Sequence, residues 1–375
     1  MDKRFVNICF IVVFMLILLI PPLFSDKSGG DVSEEENRVL AERPHLDDLL
    51  NTPGDFPEMA ENWLADNIRF RRTMIRIYRE LNKIETHDQY WIGQNMYLIG
   101  EDGHHFFAYY SGSMIDKFSG EPILYEEELA GMANSMSNIK AYLDEKGIPL
   151  IIMFATDKET VYPEYYPKSI ARNQGPVPLD SFTDYIRENT GADTFNIRAA
   201  LTKEKNNYLL YNKSKGDLAH YNVIGGFFAY QELMRHIQAY LPDIRIMSVD
   251  EVSFTYEEED IPSITLNEGL KYEALGDDFY DGLPMERPFL RGTAATRNID
   301  PGLPTLLMMR DSYYSLDLLP ELPQSFSQTL LIDYLGNMGN FRQYIETYNP
   351  DIVVFGIAER EIAIFANDLS RSGAW

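Results

Sequence analysis

Three side chains have the types and spacing for nucleophilic acyl chemistry. Ser312 stands in Met309-Arg310-Asp311-Ser312-Tyr313, just after the apolar run Thr305–Met309. A serine past a buried strand lies at the site-forming end of a sheet. Backbone N–H groups and the start of a helix can stabilise an oxyanion there. Asp and Ser also cap helices well, so the same string reads as a simple N-cap, and both readings stand. A serine nucleophile needs a base, and histidine is the side chain whose ordinary pKa lies near neutrality. His220 is found in Gly216-Asp217-Leu218-Ala219-His220-Tyr221-Asn222. Asp217, three residues earlier in a turn that opens a helix, is the carboxylate that would fix the imidazole tautomer. His236 falls inside an amphipathic helix and reads as structural. His104 and His105 lie in a Gly-flanked turn without further ligands at metal spacing, so no metal or cofactor is expected. The single cysteine, Cys9, excludes an internal disulfide and any Cys-based cluster.

These residues need a scaffold, and the hydrophobic pattern supplies one. Ile148–Ala155 is a continuous apolar run after a helical stretch, Leu124–Lys146, that ends at Gly147. The unit recurs: a helix over Leu179–Thr190 leads to a strand near Asp193, and a helix over Asn222–Tyr240 follows. Strands then fall at Thr305–Met309, Thr329–Ile332 and Ile352–Ile357, with helical residues 339–348 between the last two. Apolar strands alternating with helices predict an α/β fold with a doubly wound parallel sheet, whose ligands bind beyond the carboxyl ends of its strands. Residues 90–110, with aromatics and glycines, suit short strands and turns. The acidic segment 250–303 reads as an insertion with short strands, a wall or lid of the cleft.

The N-terminus sets the compartment. Phe5–Phe24 is an uncharged, largely apolar run of about 20 residues, enough to cross a bilayer as a helix. Lys3 and Arg4 precede it and acidic residues follow, so the N-terminus is expected in the cytoplasm and the rest of the chain outside. The long apolar core and the absence of an Ala-x-Ala pattern favour a retained anchor over a cleaved signal peptide. The expected organisation is therefore an anchor over 1–24, a polar juxtamembrane stretch over 25–57, and an α/β domain over 58–375. That domain begins with an arginine-rich helical stretch, 58–84, that either faces anions or is a solvated helix face. Across 375 residues the formal charge is −25, which argues against non-specific nucleic-acid binding. The 45% hydrophobic content supports a sizeable core.

Asp217-x-x-His220 resembles the Asp-x-x-His element of SGNH hydrolases, and Arg310-Asp311-Ser312-Tyr313 resembles their Gly-Asp-Ser nucleophile block, in reversed chain order. Three further strings accompany them: Ser33-Glu34-Glu35-Glu36-Asn37-Arg38, Asp157-Lys158-Glu159-Thr160-Val161-Tyr162-Pro163-Glu164, and His220-Tyr221-Asn222-x-x-Gly225. Together with the N-terminal segment they resemble the AlgX/AlgJ-like, DHHW-type family of SGNH hydrolase-like polysaccharide O-acetyltransferases, over roughly residues 33–362. The departures are local. The family sets Asp two residues before the His, where this chain has Leu218. Tyr221 replaces Trp, Arg310 replaces the Gly before Asp-Ser, and Glu359-Arg360-Glu361 stands where an Asn donor is often found.

The resemblance implies transfer of acetyl groups to a polysaccharide hydroxyl through Ser312, His220 and Asp217. It also implies a membrane-bound partner that delivers acyl groups across the bilayer. Candidates for the oxyanion hole are the Ser312 N–H, Asn222, the loop at Gly336-Asn337, and Arg360. Arg310 is a further substrate candidate, and Tyr221, Tyr313, Tyr314 and Tyr162 are either walls of the acceptor site or core. A cell-surface esterase using the same triad, and a non-catalytic polysaccharide-binding or assembly protein, are the alternative functions.

Overall fold

The computed structural model describes residues 95–375 except 109–112, 172–173, 259–260 and 277–293, with scattered positions between 32 and 92. The expected anchor over 1–24 and nearly all of the arginine-rich stretch lie outside the described residues. Among those described, no helix is long and apolar enough to cross a membrane. Contacts divide the chain into Met1–Gln94 and Asn95–Trp375. In the first unit, Val32–Ser33 pairs antiparallel with Arg38–Val39.

The second unit is built on a seven-stranded, mostly parallel sheet. Its strands are β1 (Leu150–Ala155), β2 (Asp193–Asn196), β3 (Tyr272–Ala274), β4 (Ala294–Asn298), β5 (Thr305–Arg310), β6 (Gln328–Asp333) and β7 (Ile352–Ala358). They lie in the order β3-β4-β6-β5-β7-β1-β2. The pairs β6–β5, β5–β7, β7–β1 and β1–β2 are parallel. The edge pairs β3–β4 and β4–β6 are antiparallel.

All residues of β1 and β7 are buried, as their unbroken apolar sequence demands of strands covered on both faces. Alternate side chains feed two cores. Ile151, Met153, Leu306, Met308 and Val354 pack with helix α3 (Val223–Gln238) on one face. Leu150, Ile152, Leu307, Met309 and Val353 face the other, beneath α1 (Glu126–Glu145), α2 (Pro178–Thr190), α4 (Phe341–Tyr348) and α5 (Ile362–Ser372). The helix boundaries follow their punctuation. Pro178 opens α2, and Gly191 closes it with φ +66°.

The acidic segment 250–303 contributes an antiparallel hairpin, Val252–Glu258 with Ile261–Leu266, and then β3 and β4, which extend the main sheet. A second hairpin pairs Asn95–Ile99 with His105–Phe107.

The connections decide where a site can form. From β1 the chain steps outward to β2, from β5 it steps the other way to β6, and β7 fills the place between β5 and β1. The carboxyl ends of β5, β7 and β1 therefore meet at the reversal of strand order, where open α/β sheets leave a crevice.

Candidate active site

Ser312 follows the end of β5. Asp311, fully buried, holds the turn by its carboxylate: Oδ1 accepts the Tyr313 N–H at 2.9 Å and Oδ2 accepts the Ala358 N–H at 2.5 Å, tying the turn to the end of β7. Burial pushes the Asp311 carboxyl up to about 7, the Glu361 charge adds to this, and the two backbone N–H groups oppose it. The helix expected after Ser312 is absent. Ser312–Tyr314 is one 3₁₀ turn, and Ser315 returns to extended backbone. The reason is that both tyrosines anchor inward. The Tyr314 hydroxyl donates to Met153 O at 3.2 Å, and Tyr313 reaches Asp157 and Ala219. The turn therefore presents no helix N-terminus to an anion, and the Ser312 N–H has no protein acceptor among the described residues.

The second half of the site comes from the loop before α3. Gly216 adopts φ +69°, a left-handed conformation that lets the chain turn into Asp217. Asp217 Oδ1 accepts the N–H groups of Ala219 and His220 at 2.8 and 3.3 Å. Its Oδ2 meets His220 Nδ1 at 2.7 Å. His220 Nε2 in turn lies 2.8 Å from Ser312 Oγ, across 92 positions of sequence. With Nδ1–H donating to the carboxylate, Nε2 is free to accept the serine proton. The row grades from solvent inward: the Asp217 side chain is 50% exposed and that of His220 17%. Burial would raise the Asp217 pKa, but the hydrogen bond and charge of His220, with the two backbone N–H groups, outweigh it and hold the carboxyl below its ordinary value. Upstream, the buried Lys158 ammonium donates to His105 O at 2.7 Å, Asn212 O at 2.6 Å and Lys213 O at 3.0 Å, clamping this loop to the 95–107 hairpin.

The other residues singled out from sequence hold the fold around this row. Asn222 caps α3: its Oδ1 accepts Ile224 and Gly225 N–H, and its Nδ2 donates to Leu209 O. The Gly336 N–H is engaged by Asp368, and Asn337, buried, donates to Asp333 O. Arg310 is fully buried and donates to Asp311 O. Arg360 Nη1 donates to Asp157 Oδ1 at 2.7 Å, Ala219 O at 2.5 Å and the Tyr313 hydroxyl at 2.9 Å. Tyr221, Tyr313, Tyr314 and Tyr162 are buried, which makes them core supports and not walls of an open acceptor site. Burial pushes the Tyr313 phenol well above its ordinary pKa, so it keeps its proton.

His236 pairs with Asp193 at 2.9 Å and stacks on Phe195, a structural arrangement. His104 stacks on Tyr165 at 4.1 Å, and burial first, then Lys158 and Lys213, lower its pKa to about 4. Among the described residues no three His, Cys, Asp or Glu side chains are grouped to hold a metal.

Two residues near the row were not singled out as site candidates. Asp157 lies two residues past β1 and pairs with Arg360; its signal is a charge just beyond a buried strand. Half-buried Tyr97 stacks edge-on against Phe107 at 5.5 Å. Its phenol is pushed up by burial and then by the charge of Asp217. Its signal was only the aromatic content of 90–110.

No protein-family profile and no curated protein matches the chain. Solved structures do. A DHHW family protein from Eubacterium siraeum aligns with a TM-score of 0.51 at 13% identity, covering 76% of this chain and 97% of that one. This chain has the fold of the DHHW-type proteins. Bacillus cereus PatB1 aligns with a TM-score of 0.50 at 15% identity, over 71% of this chain and 97% of its own. The O-acetyltransferase domain of Pseudomonas putida AlgJ aligns over 74% of this chain and 99% of its own, at 17% identity and a TM-score of 0.41. In this DHHW-type fold the central parallel strands carry the Ser312 turn and the Asp157 and Arg360 segments at their carboxyl ends.

Proposed function

We propose that the chain is an O-acyltransferase that moves an acetyl group onto a polysaccharide hydroxyl outside the cytoplasm. The observation that carries this reading is the unbroken hydrogen-bonded row from Asp217 through His220 to Ser312. Ser312 Oγ attacks the carbonyl carbon of the acyl donor while His220 Nε2 takes its proton. The tetrahedral intermediate collapses, and the donor's leaving group departs with that proton from His220. The acceptor hydroxyl then gives its proton to Nε2 and attacks the acyl carbon. Ser312 leaves and recovers the proton. The Ser312 N–H is the donor we assign to the developing oxyanion.

The motif resemblance read from the sequence supports acetyl as the group and a sugar as acceptor. It also supports a membrane-bound acyl-transporting partner, to which the apolar segment 5–24 would hold the chain. The charge of −25 favours a neutral or cationic glycan over a strongly anionic one. Hydrolysis with the same residues, making the chain a surface esterase, is the second reading.

The full-length chain, supplied with p-nitrophenyl acetate, should release nitrophenol and acetylate a neutral oligosaccharide. Ser312→Ala and His220→Ala should each lower the rate by about 10³-fold or more with the fold retained. Turnover by Ser312→Ala at the wild-type rate ends the reading. Product release without acetylated oligosaccharide selects the esterase.

A further inference from the structure

His220 and Ser312 sit on separate segments, and a general base works only if its nitrogen is held within hydrogen-bond reach of the hydroxyl. The hydrogen bonds that tie these segments together converge on one residue. The Tyr313 hydroxyl lies 2.9 Å from Asp157 Oδ1 and 3.0 Å from Ala219 O, the carbonyl immediately before His220. Arg360 Nη1 donates to the same three oxygens. On the other side of the histidine, the Tyr221 hydroxyl donates to Tyr313 O at 2.7 Å. Both neighbours of His220 are thus fastened to the residue that follows Ser312. The Arg360–Asp157 pair is itself buried, with side chains 6% and 1% exposed, and its guanidinium stacks over the Tyr313 ring at 4.7 Å. The imidazole meets that ring edge-on at 4.9 Å.

We propose that Tyr313, Tyr221 and the Arg360–Asp157 pair form a brace that sets the His220–Ser312 distance, making Tyr313, Tyr221 and Arg360 positioning residues for acyl transfer. The proposal rests on the Ser312/His220/Asp217 reading and assigns the buried tyrosines and arginine a task within it. A buried ion pair adds little net stability, because desolvating two charges offsets most of their attraction. It does fix geometry: one guanidinium nitrogen ties Ala219 O and the Tyr313 hydroxyl to the Asp157 carboxylate. Misplacing a base by about 1 Å costs on the order of 10²-fold in rate.

The test compares Tyr313→Phe, Tyr221→Phe, Arg360→Met and Arg360→Lys in the full-length chain, with p-nitrophenyl acetate as substrate and thermal unfolding as the control. Tyr221→Phe removes the bond to Tyr313 O, and Tyr313→Phe removes the oxygen shared by Asp157, Ala219 O and Arg360. Each should lower kcat by about 10- to 10²-fold with KM within about twofold, because the change moves the base and leaves ester binding alone. Inactivation of Ser312 by phenylmethylsulfonyl fluoride should slow in parallel. Arg360→Lys, keeping a charge for Asp157, should recover part of the rate lost in Arg360→Met. If both tyrosine variants retain kcat within about threefold while Ser312→Ala is inactive, the brace is refuted and the triad survives. If Ser312→Ala is as active as wild type, the underlying reading fails instead. Should Arg360→Met not fold, the two tyrosine variants still decide the matter.

Discussion

Asp217 divides its two oxygens between two tasks. Oδ1 builds the turn by accepting the Ala219 and His220 N–H groups, and Oδ2 orients the ring. Asp217→Asn tests the second task with little disturbance of the first. An amide can still accept the turn bonds through its oxygen, but it presents N–H to Nδ1 and favours the tautomer with its proton on Nε2, facing the serine. Turnover of p-nitrophenyl acetate should fall by about 10²- to 10⁴-fold, with the unfolding temperature little changed. Asp217→Ala should lose both the rate and some stability. A rate for Asp217→Asn within about threefold of wild type would mean that another carboxylate orients His220. At this scale residue type and short-range spacing were informative. Asp and His three apart define one local turn, and a serine after an apolar strand has few places to go. The tyrosines were not so legible. Adjacency to His220 or Ser312 does not say which way a ring points, and Tyr221 and Tyr313 point into the core. Their hydroxyls bond to groups 92 to 156 positions away, which no local pattern encodes.

At the scale of elements, the central strands were legible because parallel strands covered on both faces must be apolar, as β1, β7 and the Leu306–Met309 stretch of β5 are. Two features were not. The helix expected after Ser312 stops as one 3₁₀ turn, since Tyr313 and Tyr314 both insert toward the sheet, as successive residues of an α-helix would not. The strands β3 and β4, in an acidic segment, join the sheet at its edge, where one-sided covering weakens the apolar signature. What admits Tyr314 so close to the sheet is Gly356 of β7. A Cβ there would lie 2.3 Å from Met308 Cε and 2.9 Å from the Tyr314 ring. Gly356 O also accepts the Asp311 N–H at 3.2 Å. Gly356→Ala must therefore displace the turn that carries Ser312. Overpacking of this kind costs about 1–3 kcal/mol, read by urea unfolding, and esterase turnover should drop by about tenfold or more. Full stability together with full activity in this variant would show that the strand-to-turn packing does not position the serine.

Over the whole molecule, the −25 charge says little about where individual acids sit, and the buried ones govern its pH response. Glu321 is the clearest case. It is fully buried, and among the described residues neither of its oxygens has a hydrogen-bond partner. Burial pushes its carboxyl up to about 8. Glu359 is pushed up as well, by burial and then by Asp157. In the unfolded chain such groups titrate near 4.3. Between those limits the native state binds protons that the unfolded state has released. Stability is therefore fully present below the unfolded value and is lost as pH rises through the native one. The unfolding temperature should thus fall between about pH 5.5 and about pH 8.5, opposite to a protein held together by salt-bridged carboxylates. Glu321→Gln removes one titrating proton at nearly constant volume. It should raise the unfolding temperature at the upper pH, leave it nearly unchanged at the lower, and flatten the slope between them. A wild-type unfolding temperature that rises across this range, or a slope that Glu321→Gln leaves unaltered, would mean that Glu321 does not fold as a neutral acid.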